Sequence, residues 1–219
     1  RGIETVTYLI EGEIEHQDSL GNKGVITSGA CQWMTAGSGI LHQEMPQASP
    51  RMLGLQLWVN LSAKNKMTSP AYRDITPELV TKVEEENASI AIVAGEYNGI
   101  HGGIKSEHLP VMFIDVALEA GKSWSMKVKP DEKVFAFTIL GECSFADEEK
   151  EFPEKTAVLF TSGDEVRAST KNGVRFVLLS GKPLGEPIAW GGPIVMNTQA
   201  ELQHAFDELD RGTFIKNAR

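Results

Sequence analysis

Apolar positions along this chain recur mostly at every second residue, in short runs broken by glycine, proline, asparagine and small charged clusters, which predicts an all-β fold. Residues 2–10 (GIETVTYLI) are rich in β-branched and aromatic side chains and close at Glu11-Gly12, so they read as a strand buried in part on both faces. Residues 13–18 alternate and then meet the turn cluster 20–24, which predicts a hairpin. Residues 24–29 and 32–35 read as short strand pieces separated by Gly29. Residues 53–60 place Leu53, Leu55, Leu57 and Val59 on one face and Gln56 and Trp58 on the other. Residues 64–76 are polar and read as a surface connection, with a capped helical turn at Thr76-Pro77-Glu78-Leu79, before strand pattern returns over 89–95. From Val111 a second set of β-runs follows, at 112–118, 133–140, 157–160 and 174–180, and Asn172-Gly173 between two runs is a strong hairpin signal. The exception to the period of two is the C-terminal stretch. Thr198 caps a helix over 199–209 with Glu201 completing a capping box and Leu202, Ala205, Phe206 and Leu209 forming one apolar stripe.

Length and composition narrow the reading. The 219 residues suffice for one large β domain or two small ones, and 41% hydrophobic with 23% charged residues is the balance of a globular chain. The order of β-runs in the second half repeats that of the first, which favours two sandwich-like or barrel units. A net charge of -9 and the lack of a basic stripe argue against direct nucleic-acid binding. No apolar run approaches a membrane span, so no membrane partner is expected. Cys31 and Cys143 lie far apart and the first residues do not read as a secretory leader, so a reduced, cytoplasmic setting is expected, or a nuclear one in a eukaryote.

Candidate chemistry concentrates in residues 28–46, SGACQWMTAGSGILHQEMP. On a strand His42 and Glu44 face the same way, about 6–7 Å apart along the backbone, and an imidazole nitrogen with a carboxylate oxygen suits iron, manganese, nickel or zinc. By itself a His-x-Glu is more often a solvated strand face than a ligand pair. His16 and Asp18 repeat the same geometry, but among the charges of a hairpin tip, where solvation explains them. Glu4 is the one charge of its strand and on its own reads as an exposed rim residue. His101 and His108 read as surface histidines of a loop. Residues 111–190 contain no histidine, so a second-half site cannot use imidazole.

The segment QWMTAGSGILHQE, together with RGIETVTYL at the start and GEPIAWGGPIVMNT near the end, closely resembles the pirin family, bicupins of the cupin superfamily, and the resemblance runs essentially end to end. It implies an all-β bicupin of two stacked antiparallel jelly-roll barrels with a C-terminal helix, an N-terminal metal-site lobe over 1–108 and a lobe without metal ligands over 109–219. It implies a metal, Fe(II) first and Mn, Ni, Zn or Cu as alternatives, held by three histidines and one glutamate. Carried over by position, His42 and Glu44 are the third and fourth ligands. The first two belong to a His-x-His that precedes the Arg-Gly-x-Glu-Thr stretch, and it is expected before Arg1. The resemblance gives Glu4 a supporting role behind the ligands, and Trp33 and Met34 are expected to wall the pocket. Ala30 departs from the family, which usually has aspartate there.

Two functions follow from the resemblance. One is a dioxygenase resembling quercetin 2,3-dioxygenase, in which a flavonol is the small aromatic substrate and Glu44 relays its hydroxyl proton. The other is an iron-dependent co-regulator that binds a protein partner without catalysis, and the acidic charge is compatible with such a partner.

Overall fold

The computed structural model describes residues 1–145 and 150–216. The first strands are β1 (Ile3–Glu11), β2 (Glu13–Asp18), β3 (Lys23–Thr27), β4 (Cys31–Thr35), β5 (His42–Pro46), β6 (Leu53–Asn60) and β7 (Ala71–Ile75). They are followed by β8 (Thr81–Glu84), β9 (Ala88–Ala94), β10 (Glu96–Tyr97), β11 (Ile100–His101), β12 (Val111–Leu118), β13 (Ser123–Lys127) and β14 (Lys133–Gly141). Then come β15 (Cys143–Phe145), β16 (Glu151–Phe152), β17 (Thr156–Leu159), β18 (Glu165–Ser169), β19 (Val174–Gly181), β20 (Ala189–Gly191), β21 (Ile194–Met196) and α1 (Gln199–Asp210). The fold is all-β with one helix, as the alternation predicts.

The chain divides into two compact units, Arg1–Leu79 with Leu184–Arg219, and Val80–Pro183. The division expected at 108/109 differs from this in two ways. Residues 80–108 feed β8 and β9 into the second unit's sheet, and the tail with α1 returns to the first unit.

In the first unit a four-stranded sheet, ordered β6-β1-β4-β7, faces a three-stranded sheet, β3-β2-β5. Register sorts the large sheet into two faces, because residues opposite each other across an antiparallel pair share a face. Thr5, Thr7, Gln32, Met34, Gln56, Trp58, Tyr72 and Asp74 lie on one face; Glu4, Val6, Tyr8, Cys31, Trp33 and Thr35 lie on the other. The first face closes over the small sheet. Its two ends are apolar, with Ile3, Met34, Ala36, Ile40 and Val195 at one and Leu9, Ile26 and Ala30 at the other, while the middle is polar. The tail packs α1 through Leu202 and Ala205 onto Ala189, Ile194, Met196 and Phe214. The helix starts with the expected capping box: Thr198 Oγ1 accepts from the Glu201 backbone and the Glu201 carboxylate accepts from that of Thr198.

The second unit pairs a six-stranded sheet, β17-β14-β19-β12-β9-β8, with a four-stranded one, β13-β18-β15-β16. Its interior is mostly apolar, and side chains from both sheets, among them Ile114, Val116, Trp124, Ala168, Phe176 and Leu178, form one continuous cluster. In each unit the described strands form separate sheets rather than one hydrogen-bonded closed barrel.

Three local expectations are corrected. Residues 71–75 form an edge strand, since Tyr72 and Asp74 reach inward to partners far away in sequence. Thr76 to Leu79 makes a single turn, closed by the Leu79 amide on the Thr76 carbonyl, with no helix. Asn172-Gly173 does turn the chain, Gly173 at φ +93°, but β18 and β19 belong to different sheets and do not pair, so the turn is a sheet-switching corner.

Candidate functional site

The polar middle of the first unit is built from β1, β4, β6 and β7 on one side and β2 and β5 on the other. Across β2 and β5, His16 lies opposite Glu44 and Asp18 opposite His42. Glu44 is the centre of a small network. Thr7 Oγ1 donates to its Oε1 at 2.8 Å, and Gln56 Nε2 donates to its Oε2 at 2.7 Å and to Thr7 Oγ1 at 3.2 Å. Both oxygens of the half-buried carboxylate are thus fixed by neutral donors, which hold its orientation and leave further lone pairs open. His42 is exposed on the same strand face.

His16, expected to be solvated, is buried at 5% exposure. Its ring stacks on Tyr72 at 5.8 Å, and its Nε2 lies 2.6 Å from Gln32 Nε2, which also donates to Asp74 Oδ1 at 2.8 Å. Asp18 is absorbed by the turn that follows: its carboxylate accepts from the Leu20 and Asn22 backbones and the Asn22 side chain. Burial acts to raise Asp18, and these bonds outweigh it, holding the group below the usual carboxylate range. Burial, together with the Asp18 charge, pushes the Tyr72 hydroxyl well above its ordinary value.

The other expected site residues do not all gather here. Met34 is on the Glu44 side, within the apolar cluster beside it. Glu4 and Trp33 lie on the face of the sheet opposite to Thr7 and Met34. Glu4 is fully buried rather than at a rim; Thr35 Oγ1 donates to its Oε1 at 2.7 Å, while its Oε2 and Trp33 Nε1 have no hydrogen-bond partner among the described residues. The residues that do complete the site, Thr7, Gln32, Gln56 and Trp58, carry no titratable group, and alternation alone could assign them to a face but not to Glu44. Trp58 follows Gln56 on the same face at 46% exposure and meets the exposed Trp190 edge to face, ring centroids 6.5 Å apart.

The donor types of His42 and Glu44 fit a first-row divalent ion. Their number does not complete a site: among the described residues no group of three or more His, Cys, Asp or Glu is placed to hold a metal. His101 and His108 belong to the second unit, and His101 is exposed with its ring 3.8 Å from Glu96. Cys31 and Cys143 are both free and buried. No helix among the described residues is long and apolar enough to cross a membrane.

Comparison with known proteins covers nearly the whole chain. The profile described as Pirin matches residues 1–59, and that described as the Pirin C-terminal cupin domain matches residues 113–215. A pirin-like protein of Arabidopsis thaliana is 38% identical over 222 residues, 96% of this chain and 71% of that protein. A crystal structure of quercetin 2,3-dioxygenase from Acinetobacter baumannii superposes with a TM-score of 0.90 at 34% identity, over 98% of this chain and 76% of that one. The Escherichia coli pirin YhhW, solved in complex with nickel(II), shares the fold at a TM-score of 0.65 and 21% identity, over 84% of this chain and 74% of that one.

Proposed function

This chain belongs to the pirin family, and from that premise we propose that it is a metal-dependent dioxygenase of the quercetin 2,3-dioxygenase type, acting on a flavonol or a similar planar polyphenol. The observation that supports this best is the contrast between the two interiors. The second is lined mostly by apolar side chains, whereas the first keeps a polar middle in which Thr7 and Gln56 fix the Glu44 carboxylate.

His42 and Glu44 are the residues of this chain that would hold the metal, for which we propose Fe(II). When bound, the ion supplies a Lewis-acidic centre that favours loss of the substrate's hydroxyl proton. Glu44 is the base for that proton. Its two hydrogen bonds fix the direction of the acceptor oxygens before substrate arrives, which is how a general base gains from a fixed neighbourhood. Beyond Gln56 the exposed indoles of Trp58 and Trp190 offer flat apolar surface to an aromatic ring.

The test is quercetin consumption with matching oxygen uptake by iron-supplemented protein. The expected result is turnover that falls about 100-fold in Glu44→Gln when rates are compared per bound iron. A full complement of metal with no quercetin consumption would overturn the reading in favour of the iron-dependent co-regulator, whose protein partner would then be sought by binding in the presence and absence of iron.

A further inference from the structure

The glycine pair of residues 36–39 (AGSG) takes no part in the chemistry proposed above, but it lies in the loop that leads from β4 into β5, the strand of His42 and Glu44. Both glycines are required by what lies against them. Gly37 has φ +48°, and a side chain there would run into the Thr68 carbonyl. Gly39 has φ +132°, and a Cβ on it would stand 2.7 Å from the ring of Phe214, a residue of the C-terminal tail. Phe214 reaches the loop because the chain turns back after α1. Gly212 takes φ +69°, its amide donates to the Leu209 carbonyl at 3.1 Å, and the Thr213 amide donates to that of Glu208 at 2.9 Å. This pair of bonds is a Schellman ending, and it sends Phe214 into the cluster of Ala189, Ile194 and Leu202.

Arg1 joins the tail to the loop. Its Nε donates to the Ser38 carbonyl at 2.5 Å, its Nη1 to Glu208 at 2.6 Å and its Nη2 to the Phe214 carbonyl at 3.1 Å. The guanidinium also lies over the Phe214 ring, 4.2 Å from its centroid. Lys216 closes the arrangement by donating to Glu208 and to the Thr213 carbonyl. Arg1, Ser38 and Phe214 are all buried, so these bonds act with little screening by water. Further along the loop, the Leu41 carbonyl accepts from the Ser19 amide at 2.8 Å. A loop held in this way delivers β5 in one position, and a base gains rate from a fixed position because a misplacement of about 1 Å costs about 100-fold.

We propose that Phe214 and Arg1 are positioning residues for Glu44, the tail after α1 forming a strap that fixes residues 36–41 and, through them, the entry of β5. The effect on turnover rests on the reading of Glu44 as the base; the holding itself is measured without substrate. The test is amide hydrogen exchange of the full chain in two variants. Phe214→Leu keeps apolar volume in the tail cluster but takes the ring away from Arg1 and Gly39; Phe214→Ala is the stronger change, and the leucine variant decides if the alanine one does not fold. Ile26→Ala, in the apolar cluster at the other end of the same unit's interior, controls for loss of stability alone. Exchange over 36–46 is expected to rise about threefold in Phe214→Leu and about tenfold in Phe214→Ala, with residues 53–60 at the parent rate and Ile26→Ala like the parent over 36–46. Toward quercetin, kcat per bound iron is expected to fall about threefold in Phe214→Leu with KM unchanged. Unchanged exchange over 36–46, or a rise shared equally by 53–60 or by Ile26→Ala, would overturn the strap. Faster exchange beside an unchanged kcat would overturn the positioning role. Faster exchange in a protein whose parent consumes no quercetin would support the strap and sink the dioxygenase reading instead.

Discussion

Replacing Gln56 by leucine separates a carboxylate that is held from one that is merely nearby. Leucine keeps most of the side-chain volume and removes both donations, to Glu44 at 2.7 Å and to Thr7 at 3.2 Å. A hydrogen bond to a charged group contributes about 1.5–3 kcal/mol when shielded. Gln56 is exposed and Glu44 half-buried, so water screening brings the first bond to about 1 kcal/mol, and the longer neutral bond adds about 0.5 kcal/mol. Unfolding free energy should therefore fall by about 1.5 kcal/mol, and a double-mutant cycle with Glu44→Gln should return a coupling of about 1 kcal/mol. Urea unfolding followed by far-UV circular dichroism at fixed ionic strength measures both. With one anchor left, at Thr7, the base is less well aimed, and kcat/KM toward a flavonol should drop about tenfold. A coupling below about 0.3 kcal/mol, the scatter expected of independent sites, would refute the claim that Gln56 positions Glu44.

Two further outcomes are expected. Burial works against the charge of Glu208, but hydrogen bonds from Lys216 and Arg1 outweigh it and hold the carboxyl down to about 2, below its ordinary 4.5. A depressed carboxyl stabilises the fold fully above its unfolded value and loses that contribution as pH falls through the folded one. The difference in urea midpoint between the parent and Glu208→Gln should accordingly be whole near neutrality and close between about pH 4.5 and 2; a difference that stays constant would show that the ion pairs contribute nothing. Lys66, 2% exposed, donates to the carbonyls of Gly2 and Val195 and to Asn60 Oδ1. Lys66→Met leaves three acceptors without their donor and should cost about 3 kcal/mol in the same urea assay, and a loss under about 1 kcal/mol would mean that water replaces the ammonium freely.

The strand period and the capping box at Thr198 and Glu201 are local properties, and they were legible in the sequence for that reason. What depends on a distant partner was not. His16 sits among Glu13, Glu15 and Asp18, which locally describes a hairpin rim; its burial comes from Tyr72 and Gln32, which arrive from later strands. Glu4 looked like a rim charge because an apolar strand gives no sign of which face an acid will take, and the register with Thr35 decides it. The His42 and Glu44 pair was visible by spacing, whereas Thr7 and Gln56, which fix the carboxylate, are common polar residues whose meaning lies only in where two sheets face each other.

The first unit is discontinuous in sequence, made of Arg1–Leu79 and Leu184–Arg219, while the second is the uninterrupted segment Val80–Pro183. During synthesis the second unit has all of its strands once Pro183 has emerged, while the first still lacks β20, β21 and α1. The Arg1 guanidinium, which also donates to the Ser38 carbonyl, lacks its other two acceptors until Glu208 and the Phe214 carbonyl are made, 207 and 213 positions later. Vectorial growth therefore sets an order: the second unit can consolidate early, and the first cannot be finished before β20, β21 and α1 have been made. A nascent chain stalled just short of α1 should expose the apolar surface of Ala189, Ile194 and Met196, and it is at this stage, rather than in the finished protein, that a chaperone would find something to hold.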